Sequence, residues 1–149
     1  LDALAIPQYS NHTIINILLH HYHGICREES IEFVTAIPAL PELSISDTDL
    51  SALLGNLLEN ALNGARHAIS GHKYIHVHMR VQGNQFIITV DNGFDGVVEE
   101  AQDTYLSTKK DHTGYGLLSV RQICKKYDGT GTFSHEGTVF HASAVITIS

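Results

Sequence analysis

The chain has 149 residues, 43% hydrophobic and 17% charged, which suits one soluble domain large enough for a proper core. A formal charge of −7 argues against a nucleic-acid-binding surface. No run of about 18 apolar residues offers a membrane span. Cys26 and Cys124 have no metal-ligand spacing and read as buried free thiols of a reducing compartment. The opening Leu1-Asp2-Ala3-Leu4-Ala5-Ile6-Pro7 lacks the basic leader of a signal peptide, and without an initial Met the chain is expected to be a fragment of something longer.

In chain order, residues 11–29 predict a helix with Ile14, Ile15, Ile17, Leu18 and Tyr22 as its apolar positions. Residues 31–36 read as a strand, and Pro38 and Pro41 mark a loop. A second helix starts at a cap on Asp47 or Asp49, runs to about Ile69 and is ended by Gly71. Its apolar stripe is Leu50, Leu54, Leu57, Leu58 and Ala61. The opposite face carries Asn56, Asn60 and Asn63, with Glu59 beside them. Asn is a poor helix-interior residue because its side chain competes for backbone groups, so three on one face suggest a purpose. Neutral amide oxygens with a nearby carboxylate suit a hard cation such as Mg²⁺ and its waters. The plainer reading is a solvated helix face.

Residues 73–81 and 85–91 predict a hairpin around Gly83-Asn84, with Tyr74, His76 and His78 on one face and Ile75, Val77 and Met79 on the other. The second strand ends in Asp91-Asn92-Gly93, a strand-to-turn signal. A carboxylate there, followed by a glycine that lets a flat ring approach, could read the amino edge of a base; an ordinary turn is the alternative. Residues 97–113 read as a mobile connection with room for a short helix. Gly114-Tyr115-Gly116 then forms a loop that runs into an apolar helix over 116–127, stopped by Asp128-Gly129. Helix N-termini present free N–H groups to phosphates, although no Gly-Lys-Ser/Thr of a P-loop follows. A last hairpin covers 131–135 and 138–148 through Glu136-Gly137. The whole is α+β: a two-layer sandwich with helices on one face of a mixed, mostly antiparallel sheet. Eleven histidines include the clusters His20, His21, His23 and His76, His78; exposed or locally paired rings are expected rather than a zinc site.

The three motifs, in this order and spacing, resemble the ATP-binding domain shared by histidine kinases, gyrase B, mismatch-repair ATPases and the large heat-shock chaperones, whose fold is the Bergerat-type two-layer sandwich. Asn56-Leu57-Leu58-Glu59-Asn60-Ala61 is similar to the N box, Asp91-Asn92-Gly93 to the first glycine box and Gly114-Tyr115-Gly116-Leu117 to the second. The form of the N box and the short stretch Ser107-Thr108-Lys109-Lys110 look most like the sensor kinases that read peptide pheromones. The resemblance covers residues 11 to 149.

It implies a single domain over 1–149 that binds ATP with Mg²⁺. Asn60 would hold the metal and Asn56 would face the phosphates. Asp91 would accept from the adenine amino group, with Gly93 letting the base lie close. Gly114, Tyr115, Gly116 and Leu117 would form the phosphate end of a lid. Asn63 stands where many relatives are basic or aromatic, and Lys109 could supply the positive charge instead. Asp95 occupies the place of the box's second glycine. The γ-phosphate would pass to a histidine on a separate dimerisation domain of the same kinase and on to a response regulator; no histidine here lies in the context of that acceptor. The resemblance places the domain on the cytoplasmic side of a membrane-bound bacterial sensor, monomeric as a fragment. A degenerate interaction module, a serine kinase and an ATP-driven clamp share the same boxes.

Overall fold

The computed structural model describes residues 8–69, 71–97 and 112–148, with the backbone alone for 112–115. Helix α1 spans Thr13–Glu28, strand β1 Glu32–Ala36 and helix α2 Asp47–Arg66. Strands β2 (Tyr74–Gln82) and β3 (Gln85–Gly93) follow, then helix α3 (His112–Lys126) and strands β4 (Thr130–Glu136) and β5 (Val139–Thr147). The strands form one sheet in the order β1-β2-β3-β5-β4. β1 runs parallel to β2 and the other pairings are antiparallel. The described helices cover one face, giving the expected α+β sandwich.

The core lies between the layers. α2 is its centre, burying Leu50, Leu53, Leu54, Leu57, Leu58, Ala61, Leu62 and Ala65. The recurrence of these residues at intervals of three and four is what turns a 20-residue segment into a helix with a wide apolar stripe. From the sheet, Ile75, Val77, Phe86, Ile88, Val90, Ala142, Ala144 and Ile146 meet it. α1 adds Ile15, Leu19, Tyr22 and Cys26, and α3 adds Leu117, Val120, Ile123 and Cys124. The hairpin between β2 and β3 turns as expected at Gly83, whose φ of +61° is one that a side chain would resist.

Several boundaries differ from the expected ones. Ser46, not Asp47 or Asp49, caps α2: its Oγ accepts from the Asp49 N–H at 3.1 Å. The two aspartates sit in the first turn, where the helix dipole favours negative charge. α2 ends at Arg66 rather than about Ile69. β3 continues through Asp91-Asn92-Gly93, because Gly93 still pairs with Val139 of β5; the segment expected to turn is strand. α3 begins at His112, so Gly114 and Gly116 lie within its first turns rather than in a loop before it. Most of the connection expected over 97–113, including Lys109, lies outside the described residues.

A polar latch fixes α3 on α2. The Asp49 carboxylate accepts from Lys126 Nζ at 2.8 Å and from the Tyr127 hydroxyl at 2.6 Å, and the same hydroxyl accepts from the Ser46 N–H at 3.2 Å. The Lys126 hydrogen bond, then that of Tyr127, holds the Asp49 carboxyl below its usual pKa. A carboxylate whose pKa is lower when folded stabilises the fold fully above the unfolded value, ~3.9. That contribution disappears as pH falls through the folded value. Asp49→Asn should therefore lower the urea midpoint at pH 6 slightly and flatten the fall in that midpoint below pH 4. Urea titrations of both proteins across pH 2.5–6 check this.

Candidate functional site

Asn56, Asn60 and Asn63 rise along α2, each half-buried, while their neighbours Leu57, Leu58, Ala61 and Leu62 are buried. At ~1.5 Å per residue, Asn56 to Gly64 covers about 12 Å of helix. The first of these amides meets α3: a β-carbon at Gly116 would lie 3.1 Å from Asn56 Oδ1. Gly116 is thus the residue that lets the amide come close to the first turns of α3. Those turns carry free N–H groups and the positive end of the dipole. Gly114 lies in the same turns, as does the backbone of Tyr115. Leu117 is a core residue, 1% exposed, so only its backbone is available to a ligand.

Glu59 does not join the asparagine face. Its Oε1 accepts from the Tyr22 hydroxyl of α1 at 2.8 Å. Burial, reinforced by that carboxylate, pushes the Tyr22 phenol well above the usual range. That bond draws one oxygen of the exposed Glu59 toward α1. Among the described residues no three of His, Cys, Asp and Glu converge as a metal site. Any cation here would rest on neutral amide oxygen, phosphate and water, a donor set that fits Mg²⁺ and not zinc. Two of the histidines have local roles: His12 caps α1 at the Ile14 N–H, and the His23 ring stacks on Phe33 with centroids 5.1 Å apart.

The end of β3 departs from expectation. Side chains alternate along a strand, and Phe86, Ile88, Val90 and Asn92 take the buried, helix-facing positions. Asp91 therefore lies on the other face of the sheet from Asn56 and Asn60. It stands in a row with His76 and His141, its partners in the register. His141 Nδ1 donates to Asp91 Oδ1 at 2.9 Å. A carboxylate only accepts, which fixes the proton on that nitrogen. Burial, with the Asp91 charge added, raises the pKa of the neighbouring Tyr74. Gly93 has a reason of its own to be glycine: a β-carbon would collide with the His72 carbonyl oxygen and press on the Tyr74 ring. Asp95 is exposed and accepts from the Val97 N–H at 2.8 Å, closing a small turn. Phe94 is anchored by its N–H to the Thr138 carbonyl (2.9 Å) and packs edge-on against Phe140.

Asn92 is the residue that motif matching missed. It is 1% exposed and lies against α2, where a β-carbon at Gly64 would collide with its Nδ2. That Nδ2 donates to the Gly93 carbonyl at 2.8 Å. Its Oδ1 is the one buried side-chain N or O atom among the described residues with no hydrogen-bond partner. The signal was present in the alternation of Phe86, Ile88 and Val90, carried one step further.

A two-layer α+β sandwich with an asparagine-bearing central helix facing a glycine-bearing helix end defines the class. The family model described as a GHKL domain matches residues 45–147. The chain belongs to that family and is homologous to sensor histidine kinases. It is 31% identical over 133 residues to the sensor histidine kinase ZraS of Escherichia coli O157:H7, covering 85% of this chain and 28% of that one. It is 30% identical over 104 residues to the sensor protein CitS of Halalkalibacterium halodurans, covering 66% of this chain and 19% of that one. The chain thus spans less than a third of the length of these curated relatives. Among solved structures, a nucleotide-free catalytic domain of the histidine kinase ThkA has a TM-score of 0.72 at 14% identity, covering 91% of each chain. Acinetobacter baumannii histidine kinase AdeS gives 0.69 at 18%, covering 91% of this chain and 64% of that one. At such identities these two show the shared fold. Among the described residues no helix is long and apolar enough to cross a membrane.

Proposed function

We propose that this chain is the ATP-binding catalytic domain of a bacterial sensor histidine kinase. It binds Mg-ATP and presents the γ-phosphate to a histidine on a separate dimerisation domain, from which a response regulator is phosphorylated. The observation that carries this reading is the amide face of α2 set against Gly116 at the start of α3. Asn60 would hold Mg²⁺ through its side-chain oxygen, and the cation would neutralise charge on the phosphates. Asn56 and the free N–H groups of the first turn of α3, Gly114 included, would orient the phosphate chain. Asn63, one turn further along α2, and Lys109 complete the proposed set. Phosphoryl transfer asks the protein mainly for positioning and charge stabilisation, which neutral amides and N–H groups can supply.

The isolated chain should bind nucleotide and hydrolyse it very slowly, because Asn56 puts a neutral amide, which is no base toward water, beside the start of α3. Calorimetric titration with ADP and a non-hydrolysable ATP analogue, with and without Mg²⁺, tests the reading. Binding that strengthens with Mg²⁺ supports it; no binding, or rapid ATP hydrolysis by the chain alone, overturns it. The ATP-driven clamp is the second reading. Asn56 weighs against it, since it stands where the gyrase-type domains carry a glutamate base. Dimerisation on adding the analogue would favour the clamp.

A further inference from the structure

β1 is shorter than the strand it pairs with, and the difference leaves an open edge. β1 ends at Ala36, opposite His78, whereas β2 continues to Gln82. The cause lies in the ladder, which begins with the Glu32 N–H donating to the Lys73 carbonyl at 3.0 Å. In a parallel pair every second residue turns its N–H to the neighbour, so Val34 and Ala36 follow and Pro38 would be next. Proline has no N–H to give, so β1 offers the Met79 carbonyl no donor. Val81, further along, has no residue of β1 opposite it. Among the described residues no other strand pairs with this side of β2. A groove of about 480 Å³ lies at the same edge, on the sheet face that the helices leave open. Ile37, Pro38, His78, Arg80 and Ile87 line it, the last an apolar residue only 8% exposed. No acidic residue lines it, although the chain has 16 acidic residues against 9 basic ones. Arg80 is exposed, and it spends one N–H on Gln82 Oε1 at 2.9 Å. Among the described residues no carboxylate pairs with it, which leaves the other donors of its guanidinium for a partner.

We propose that this edge takes an extended acidic segment of a partner protein, which adds to the sheet parallel to β2 and continues the line of β1. An acidic residue of the segment lands opposite Arg80. Its N–H donates to the Met79 carbonyl, and its C=O accepts from the Val81 N–H. Its side chain lies on the open face, where its stem enters the groove and its carboxylate pairs with Arg80. The residues flanking it turn to the other face, beside Met79 and Val81, and are apolar. A charge beside a bare edge ordinarily keeps strands from pairing at random; here it also sets which strand can pair. The inference is independent of the nucleotide reading, because the groove lies on the opposite face of the sheet from Asn56 and Asn60.

The test titrates the chain into a short labelled peptide of alternating Val and Glu and follows fluorescence anisotropy. The wild-type chain should bind it about tenfold or more tightly than the same peptide with Lys in place of Glu. Arg80→Glu should reverse that preference. N-methylation of the glutamates, which removes the N–H groups aimed at Met79, should weaken binding by about tenfold or more. N-methylation of the valines, whose N–H groups point away from β2, should cost about threefold or less. Failure of the wild type to bind the Val-Glu peptide overturns the inference, as does equal binding of the Glu and Lys peptides. A preference unchanged in Arg80→Glu overturns it too. Equal effects of the two methylations would reduce the contact to charge attraction and would also sink it. Arg80 is exposed, so Arg80→Glu should keep the wild-type urea midpoint. If that variant proves unfolded, the methylated peptides still decide, because they are read on the unaltered chain.

Discussion

Asn60→Ala should abolish most Mg²⁺-dependent phosphoryl transfer, by about a hundredfold or more, while leaving the fold intact. Two effects separate cleanly at this position. The side chain is half-buried on the polar face of α2 and is not part of the core, so its removal opens no cavity. Alanine is the better helix former, by about 0.5 kcal/mol, so the variant should be as stable as the wild type or slightly more so. A loss of transfer accompanied by a loss of stability would mean that Asn60 is structural and that the metal lies elsewhere. The measurement is transfer from ATP to a histidine-bearing dimerisation domain supplied in trans, across a Mg²⁺ titration, beside a urea curve for each protein.

Gly129→Ala should be the most damaging small substitution, with a loss of about 3 kcal/mol or more. Gly129 follows α3, where its N–H donates to the Cys124 carbonyl at 2.7 Å and turns the chain into β4. A β-carbon there would collide with the Val145 carbonyl oxygen, and Ile146 Cα would stand 2.9 Å away. Both obstacles are backbone of β5, which cannot move without breaking its pairing with β3 and β4. Gly137 is the control. It has open space around it and a φ of +60°, so Gly137→Ala meets only backbone strain of about 1 kcal/mol. Urea midpoints of the two variants should differ in that order; equal effects would show that β5 yields.

Both predictions depend on features that the sequence reveals unequally. The centre of α2 was legible because eight buried positions recur at helical spacing, a signal that survives any local error. The β2–β3 hairpin was legible because Gly83-Asn84 and the alternation on both strands agree. Where local signals conflict with packing, the reading failed. Gly114 and Gly116 look like loop residues by propensity, yet they lie inside α3, because Gly116 is required by the approach of Asn56 rather than by a turn. Asp128-Gly129 was expected to stop α3, and does, but the left-handed residue is Asp128 at φ +56°, while Gly129 is small to make room for β5.

The site shows the same division. Asn56 and Asn60 could be placed on one face by counting around a helix. The direction of Asp91 required counting along β3 from Val90, and a motif that names residues without their faces does not do this. The Tyr22–Glu59 bond was invisible, since it joins residues 37 apart through the packing of α1 on α2. The parallel pairing of β1 with β2 is a property of the crossover through α2 and leaves no mark in either strand.

The two thiols make the outer helices separately observable. Cys26 belongs to α1 and Cys124 to α3, the helices that contact α2, and both are 0% exposed. Burial is the main cause that pushes each pKa up to about 11. A thiol reagent needs access and a thiolate, so neither cysteine can react until its own helix swings away. The rate at Cys26 then times the detachment of α1, and the rate at Cys124 times that of α3. Since α3 carries one wall of the proposed phosphate site and α1 does not, a bound nucleotide would slow the second clock and leave the first running. The domain thus carries its own pair of chemical stopwatches for telling ligand-coupled breathing from general loosening.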